Sequence, residues 1–183
     1  MKKITLILAL ALLVPLTGFS QSIFDKFEDM DHVGSVIVNK GMIDLLTSIG
    51  NFEDDKETKD FVEMAKGIHG IKVFITEDKA VAEEMSATVR KYLKSASLEE
   101  LMRVKDQDVN VKFYIKNGKR KDHVTELLMF VSGMKKMDLD VDGRKFETVL
   151  VSMTGDIDLN QIGALTKKMD LPDDLNKVGK HKK

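Results

Sequence analysis

Three aspartates at alternate positions, Asp138, Asp140 and Asp142, run into Gly143 in the stretch DLDVDG. Carboxylates spaced in this way present hard oxygen ligands, and a glycine lets the chain turn so that they converge, as in a calcium loop. The helical form of that loop also needs a bidentate glutamate at its twelfth position, and counting from Asp138 that residue is Val149. The set of ligands is therefore incomplete, and a calcium ion held here would bind at about millimolar strength. The other reading is a hairpin with Asp142 and Gly143 as a two-residue turn. It places Val141 opposite Arg144, Asp140 opposite Lys145, Leu139 opposite Phe146 and Asp138 opposite Glu147. The apolar pair and the Asp140–Lys145 pair each contribute about 0.2–1 kcal/mol, and Asp138 facing Glu147 repels by a similar amount unless a cation lies between them.

Other chemistry-bearing residues converge less well. His32, His69, His123 and His181 include no pair at the i, i+4 spacing of a helical metal site. The stretch EDMDH gathers Glu28, Asp29, Asp31 and His32 at an expected helix end, where solvated charge is the ordinary outcome. Met134 and Met137 could offer thioethers to a soft Cu(I) ion. Ten methionines beyond Met1, spread among apolar stripes, are better explained as filling of the core. There is no G-x-S-x-G elbow, phosphate-binding glycine loop or H-E-x-x-H helix. The adjacent carboxylates Asp54–Asp55 and Glu83–Glu84 point apart around a helix, so neither forms an acid–base pair by itself. A hydrolase would have to assemble its carboxylates from distant segments.

The elements that must position these residues change character along the chain. Ile23, Phe24, Phe27 and Met30 have helical spacing behind Ser22, and Ser35–Asn39 is a short β-branched strand. Met42, Ile43, Leu45, Leu46 and Ile49 form one broad helical face that stops at Gly50. A second helix over residues 54–68 buries Phe61, Val62, Ala65 and Ile68, and a strand follows over Ile71–Thr76. The helix from Lys79 to Ala96 carries Val81, Met85, Val89, Tyr92 and Leu93 at three- and four-residue spacing. Beyond Ser97 the period falls toward two. Strands are expected at residues 101–105, at 109–115 with an Asn117–Gly118 turn, at 124–131 and at 145–154. Asp158 with Gln161 three residues later then signals a helix carrying Ile162, Leu165 and Met169. Helices and two strands, then a run of strands, then a helix predict an α+β fold: a largely antiparallel sheet with helices packed on one face, in a single domain.

The ends and the composition bound where such a domain works. Lys2 and Lys3, an apolar run from Ile4 to Val14, Pro15, and small residues at Gly18 and Ser20 read as a cleavable signal peptide over residues 1–20. The domain then spans residues 21–171, and 172–183 form a basic tail with Lys177, Lys180, His181, Lys182 and Lys183. That tail is either solvated and disordered or a peripheral contact with an acidic partner or anionic membrane surface. No other run reaches the length of a transmembrane helix. The absence of cysteine excludes disulfides, thiolate metal sites, cysteine nucleophiles and a lipid-bearing lipobox. Without Lys2 and Lys3 the chain has 27 basic and 30 acidic side chains, a net charge of −3 that argues against nucleic acid as a partner.

The segments FDKFEDMDHVGSVIVNKGMIDLL, LEELMRVKDQDVNVKFYIKNG, ELLMFVSG and FETVLVSMTGDIDLNQIGALTKKM, in this order, resemble the domain-of-unknown-function 4252 family. The resemblance implies an exported protein of the Bacteroidetes envelope, most simply periplasmic, and brings no activity, cofactor or site residue with it. Three functions then compete. The first is a non-catalytic envelope protein that docks a protein partner or helps sense or maintain the state of the envelope. The second is a small-molecule or lipid binder with a pocket lined by Phe113, Leu127 and Met129. The third is a hydrolase of unrecognised type.

Overall fold

The computed structural model describes residues 23–49, 56–106, 109–134 and 145–160, with the side chains of Ile49 and of 56–61 left aside. A short 3₁₀ turn, Asp25–Phe27, precedes strand β1, Val33–Asn39. Helices α1, Lys40–Ile49, and α2, Lys56–Gly67, lead to β2, Ile68–Thr76. Helix α3, Lys79–Ser95, is followed by β3, Glu99–Asp106, β4, Val109–Asn117, β5, His123–Ser132, and β6, Thr148–Asp158. The six strands form one antiparallel sheet in the order β1-β2-β6-β5-β4-β3, so the expected α+β architecture is the one found.

Alternation within the strands separates two faces. On the first, Phe74 of β2 lies opposite Leu150 of β6, Leu150 opposite Phe130 of β5, and Leu128 of β5 opposite Tyr114 of β4. Helix α3 covers this row with Met85, Val89 and Tyr92, whose three- and four-residue spacing keeps them on one face. Asp78 sets the start of α3 by accepting a hydrogen bond from the Val81 N–H at 2.9 Å. The 3₁₀ turn closes the near end. Phe24 meets Tyr92 edge-on at 5.1 Å, and Phe27 lies 5.8 Å from Phe74. Lys72 holds the turn to the sheet through Asp25 at 2.5 Å and Glu28 at 2.7 Å. Burial alone would lower its pKa, but the hydrogen bonds to those two carboxylates outweigh that and raise it.

The second face is apolar from edge to edge. It carries Val36 and Val38, Ile71, Val73 and Ile75, Val149, Val151 and Met153, Leu127, Met129 and Val131, then Val111, Phe113 and Ile115. Phe113, Leu127 and Met129 do share a face, as their alternation requires. It is the face turned away from α3, and none of the three lines either of the two clefts described below.

Several boundaries move for physical reasons. The N-terminal helix contracts to the 3₁₀ turn, because Phe24 and Phe27, three residues apart, must enter the same core. Ile68 leaves the helical stripe and opens β2, where it is buried. Asn117–Gly118 does not make a two-residue turn: the Gly118 N–H donates to the His123 carbonyl at 2.9 Å, and the chain loops through 119–122 with Asp122 at φ 61°. In β6 the buried positions switch from even numbers (Thr148, Leu150, Ser152) to Gly155 and Ile157, where register shifts occur against both neighbours. Gly155 has φ 145°, and a Cβ there would run into the Gly67 carbonyl oxygen, just as one on Gly67 would run into the Asp156 carbonyl.

This backbone contact makes a sharp prediction. Gly155→Ala should lower unfolding free energy by more than about 2 kcal/mol, read as a clear fall in thermal midpoint. Gly34→Ala, whose added Cβ would meet only the Ile75 carbonyl at an ordinary 3.8 Å, should stay within about 1 kcal/mol of the parent.

Candidate functional site

Asp138, Asp140 and Asp142 lie outside the described residues, as do the signal sequence, the basic tail and the stripe of Ile162, Leu165 and Met169. The flank of the aspartate segment is in view. The Glu147 carbonyl accepts from the N–H groups of Gly133 and Met134 at 3.1 and 3.2 Å, and its own N–H donates to the Thr76 carbonyl at 2.8 Å. The β5–β6 ladder begins at Ser132 opposite Thr148. The pairs expected across an Asp142–Gly143 turn involve residues outside those described. Among the described residues, no group of three His, Asp or Glu side chains is placed to hold a metal ion.

A charged cluster that sequence reasoning did not find lies at the other end of β5 and β6. His123 Nδ1 is 2.9 Å from Asp156 Oδ1, and its Nε2 is 3.9 Å from Asp158 Oδ2. Arg120 forms an ion pair with Asp156. The Arg120 guanidinium is the main reason the Asp156 carboxyl is held below its usual range, with His123 adding to the effect. Asp158 in turn accepts from the Asn160 N–H at 2.9 Å, and Gln161, the other half of the expected capping box, lies outside the described residues. The cluster borders a cleft of about 720 Å³ lined by Lys119, Arg120, Lys121, Asp122 and His123 together with Glu99, Glu100 and Leu159. Among the described residues no serine, threonine or cysteine lines it, and both imidazole nitrogens face carboxylates. This arrangement clasps the β4–β5 loop to β6.

One carboxylate is buried. Glu126 is 2% exposed, and its two oxygens each lie 2.7 Å from the Tyr92 hydroxyl. The Tyr92 hydroxyl donates toward the carboxyl group, its single proton shared between the two oxygens. Burial raises the pKa of Glu126, partly offset by the Tyr92 hydroxyl and Lys116. Ser152, close by on the same face, is the buried side chain without a hydrogen-bond partner among the described residues. Neither of the two clefts reaches Glu126, Tyr92 or Ser152, and Tyr92 belongs to the core under α3.

The two edges of the sheet differ sharply. β3 reads EELMRVKD, with Glu99, Glu100, Arg103, Lys105 and Asp106 along it and a register shift beside Leu101. Charges and a bulge are the usual protections against pairing with another chain. β1 reads VGSVIVN, seven residues without a charge, a proline or a register shift. Val36 and Ile37 point to opposite faces and are 57% and 44% exposed. Directly beyond, α1 buries Ile43 and leaves Met42, Leu45 and Leu46 about half exposed at three- and four-residue spacing. A second cleft, about 680 Å³, opens at the other end of the strand, lined by His32, Val33, Gly34, Ile75, Glu77 and Phe146. The helical stripe in α1 was visible in the sequence; that it faces outward was not.

These features define, among the described residues, an α+β domain with a charged, bulged edge at β3 and an uncharged, regular edge at β1. The chain belongs to the DUF4252 family, a domain of unknown function whose model matches residues 27–165. No curated protein and no solved structure matches it. No helix among the described residues is long and apolar enough to cross a membrane.

The buried carboxyl predicts a specific pH dependence. Because its folded pKa is raised, the folded state holds a proton that the unfolded state has released, and stability falls as pH rises from the ordinary glutamate value through the folded one. Glu126→Gln keeps an acceptor for Tyr92 and removes that ionisation. The variant should melt higher than the parent at pH 7, with the gap closing as pH is lowered toward 4. Equal melting points across that range would show that Glu126 is accommodated without cost.

Proposed function

We propose that this protein is a non-catalytic, exported module of the cell envelope that works by docking a protein strand against its β1 edge. The observation that carries the reading is the contrast between edges: β3 is charged and bulged, whereas β1 is uncharged, regular and flanked by exposed Val36, Ile37, Met42, Leu45 and Leu46. An edge strand supplies a row of backbone donors and acceptors, and neighbouring apolar side chains supply the area that makes strand addition selective. The charged cluster around His123 and the buried Glu126–Tyr92 pair are tied into internal contacts, which favours binding over catalysis. Export rests on the leader-like first twenty residues, and the periplasm is the simplest destination for a chain with no lipobox cysteine.

Replacing Val36 with lysine places a charge at the centre of the edge while leaving the core untouched, since Val36 is mostly exposed. Reciprocal crosslinking and capture from intact envelopes should recover a stoichiometric protein with the parent and lose it with Val36→Lys, at an unchanged melting point. Retention of the same partner by a folded Val36→Lys protein would refute docking at β1. The captured parent should also begin at Gln21, read from its intact mass.

A further inference from the structure

Given the β1 edge as a docking surface, we propose that its occupant is a second copy of this chain, paired antiparallel β1 to β1 about a two-fold axis at Val36. The inference rests on the reading above and adds register and partner to it.

Val36 is the central residue of a seven-residue strand. A two-fold axis through it pairs Val36 with Val36, Ser35 with Ile37, Gly34 with Val38 and Val33 with Asn39 of the other copy, so every position of the strand finds a partner. Self-pairing is ruled out for most edges because it brings like charges together; here no strand position carries a charge. The charges lie just beyond the ends, and they differ in sign. Asp29 and Asp31 precede the strand and Lys40 follows it. The antiparallel arrangement sets Lys40 of one copy, which pairs with Asp44 in its own helix, opposite His32 and next to Asp31 of the other, twice over by symmetry. A two-fold pairing is also closed, so it uses up both open edges and stops at two chains.

Shape follows the same geometry. β1 runs directly into α1, and the cleft where Val33, Ile75 and Phe146 lie among His32, Glu77 and Asp78 sits at the strand's opposite end. Antiparallel pairing therefore brings the start of α1 in one copy beside the cleft of the other. Met42, Leu45 and Leu46, exposed in the single chain, then have Val33 and Phe146 at the rim of that cleft within reach. Strand pairing and two helix contacts together form one continuous interface across the axis.

The absence of cysteine makes the register directly readable. Residues facing each other on a two-fold axis in an antiparallel pair have Cα atoms about 4.5–5.5 Å apart, within disulfide range. Val36→Cys should form a disulfide-linked dimer under mild oxidation. Ser35→Cys alone should not, and a mixture of Ser35→Cys with Ile37→Cys should. Lys105→Cys on the β3 edge is the control and should remain unlinked. Light scattering of the unmodified chain should give twice the monomer mass, and Val36→Lys should halve it. A monomeric parent, or a Val36→Cys protein that links no faster than Lys105→Cys, would overturn self-pairing. In that case loss of envelope capture in Val36→Lys would still uphold docking at β1 to a different protein, whereas retained capture would remove both readings.

Discussion

The packing of α3 on the three central strands is the interaction on which the rest of the molecule depends. Phe74, Leu150, Leu128 and Phe130 come from strands far apart in sequence, and Met85, Val89 and Tyr92 are the surface that gathers them. Each fully buried side chain of this size contributes about 1.5–3 kcal/mol relative to solvent. With no disulfide available, this burial must offset the entropy of ordering the chain. It also explains why β2 can sit beside β6. The helix carries the chain from β2 to the far edge, and the β3–β6 meander then returns to close against β2.

That topology determines which edges remain open. β6, the last strand, fills the centre, so the first and third strands become the borders. Their sequences have responded differently to the same exposure. The row of Glu99, Glu100, Arg103, Lys105 and Asp106 makes β3 a poor template, whereas β1 keeps Val36 and Ile37 without a charge between Val33 and Asn39. An unprotected edge costs solubility in an isolated chain. Its persistence next to exposed Met42, Leu45 and Leu46 is most simply explained by a surface that is covered when the protein works.

Local signals carried much of the fold. The stripe in α3 and the alternation in β4 and β5 are properties of a few consecutive residues, and their positions agree closely with the sequence reading. What escaped depends on pairing across long distances. Nothing near Thr148 says that β6 will lie between β2 and β5, and nothing near Ile68 says that a helical-looking residue will start a strand. Phe113, Leu127 and Met129 were correctly grouped on one face, and alternation alone does not say that α3 covers the other. The His123 cluster needed Asp156 and Asp158 from 33 and 35 residues away. Its only local trace is GDID, where a glycine bulge precedes two aspartates at alternate positions. The aspartates of DLDVDG stood out by their alternate spacing before a glycine, and they lie outside the described residues.

The most direct measurement is amide hydrogen exchange on the mature chain as its concentration is raised, comparing the two sheet edges in one experiment. Protection that grows with concentration in Val33–Asn39, while Glu99–Asp106 stays unchanged, is the expected result. Exchange in β1 that is independent of concentration, or protection that appears at β3 instead, would contradict a functional pairing surface at β1.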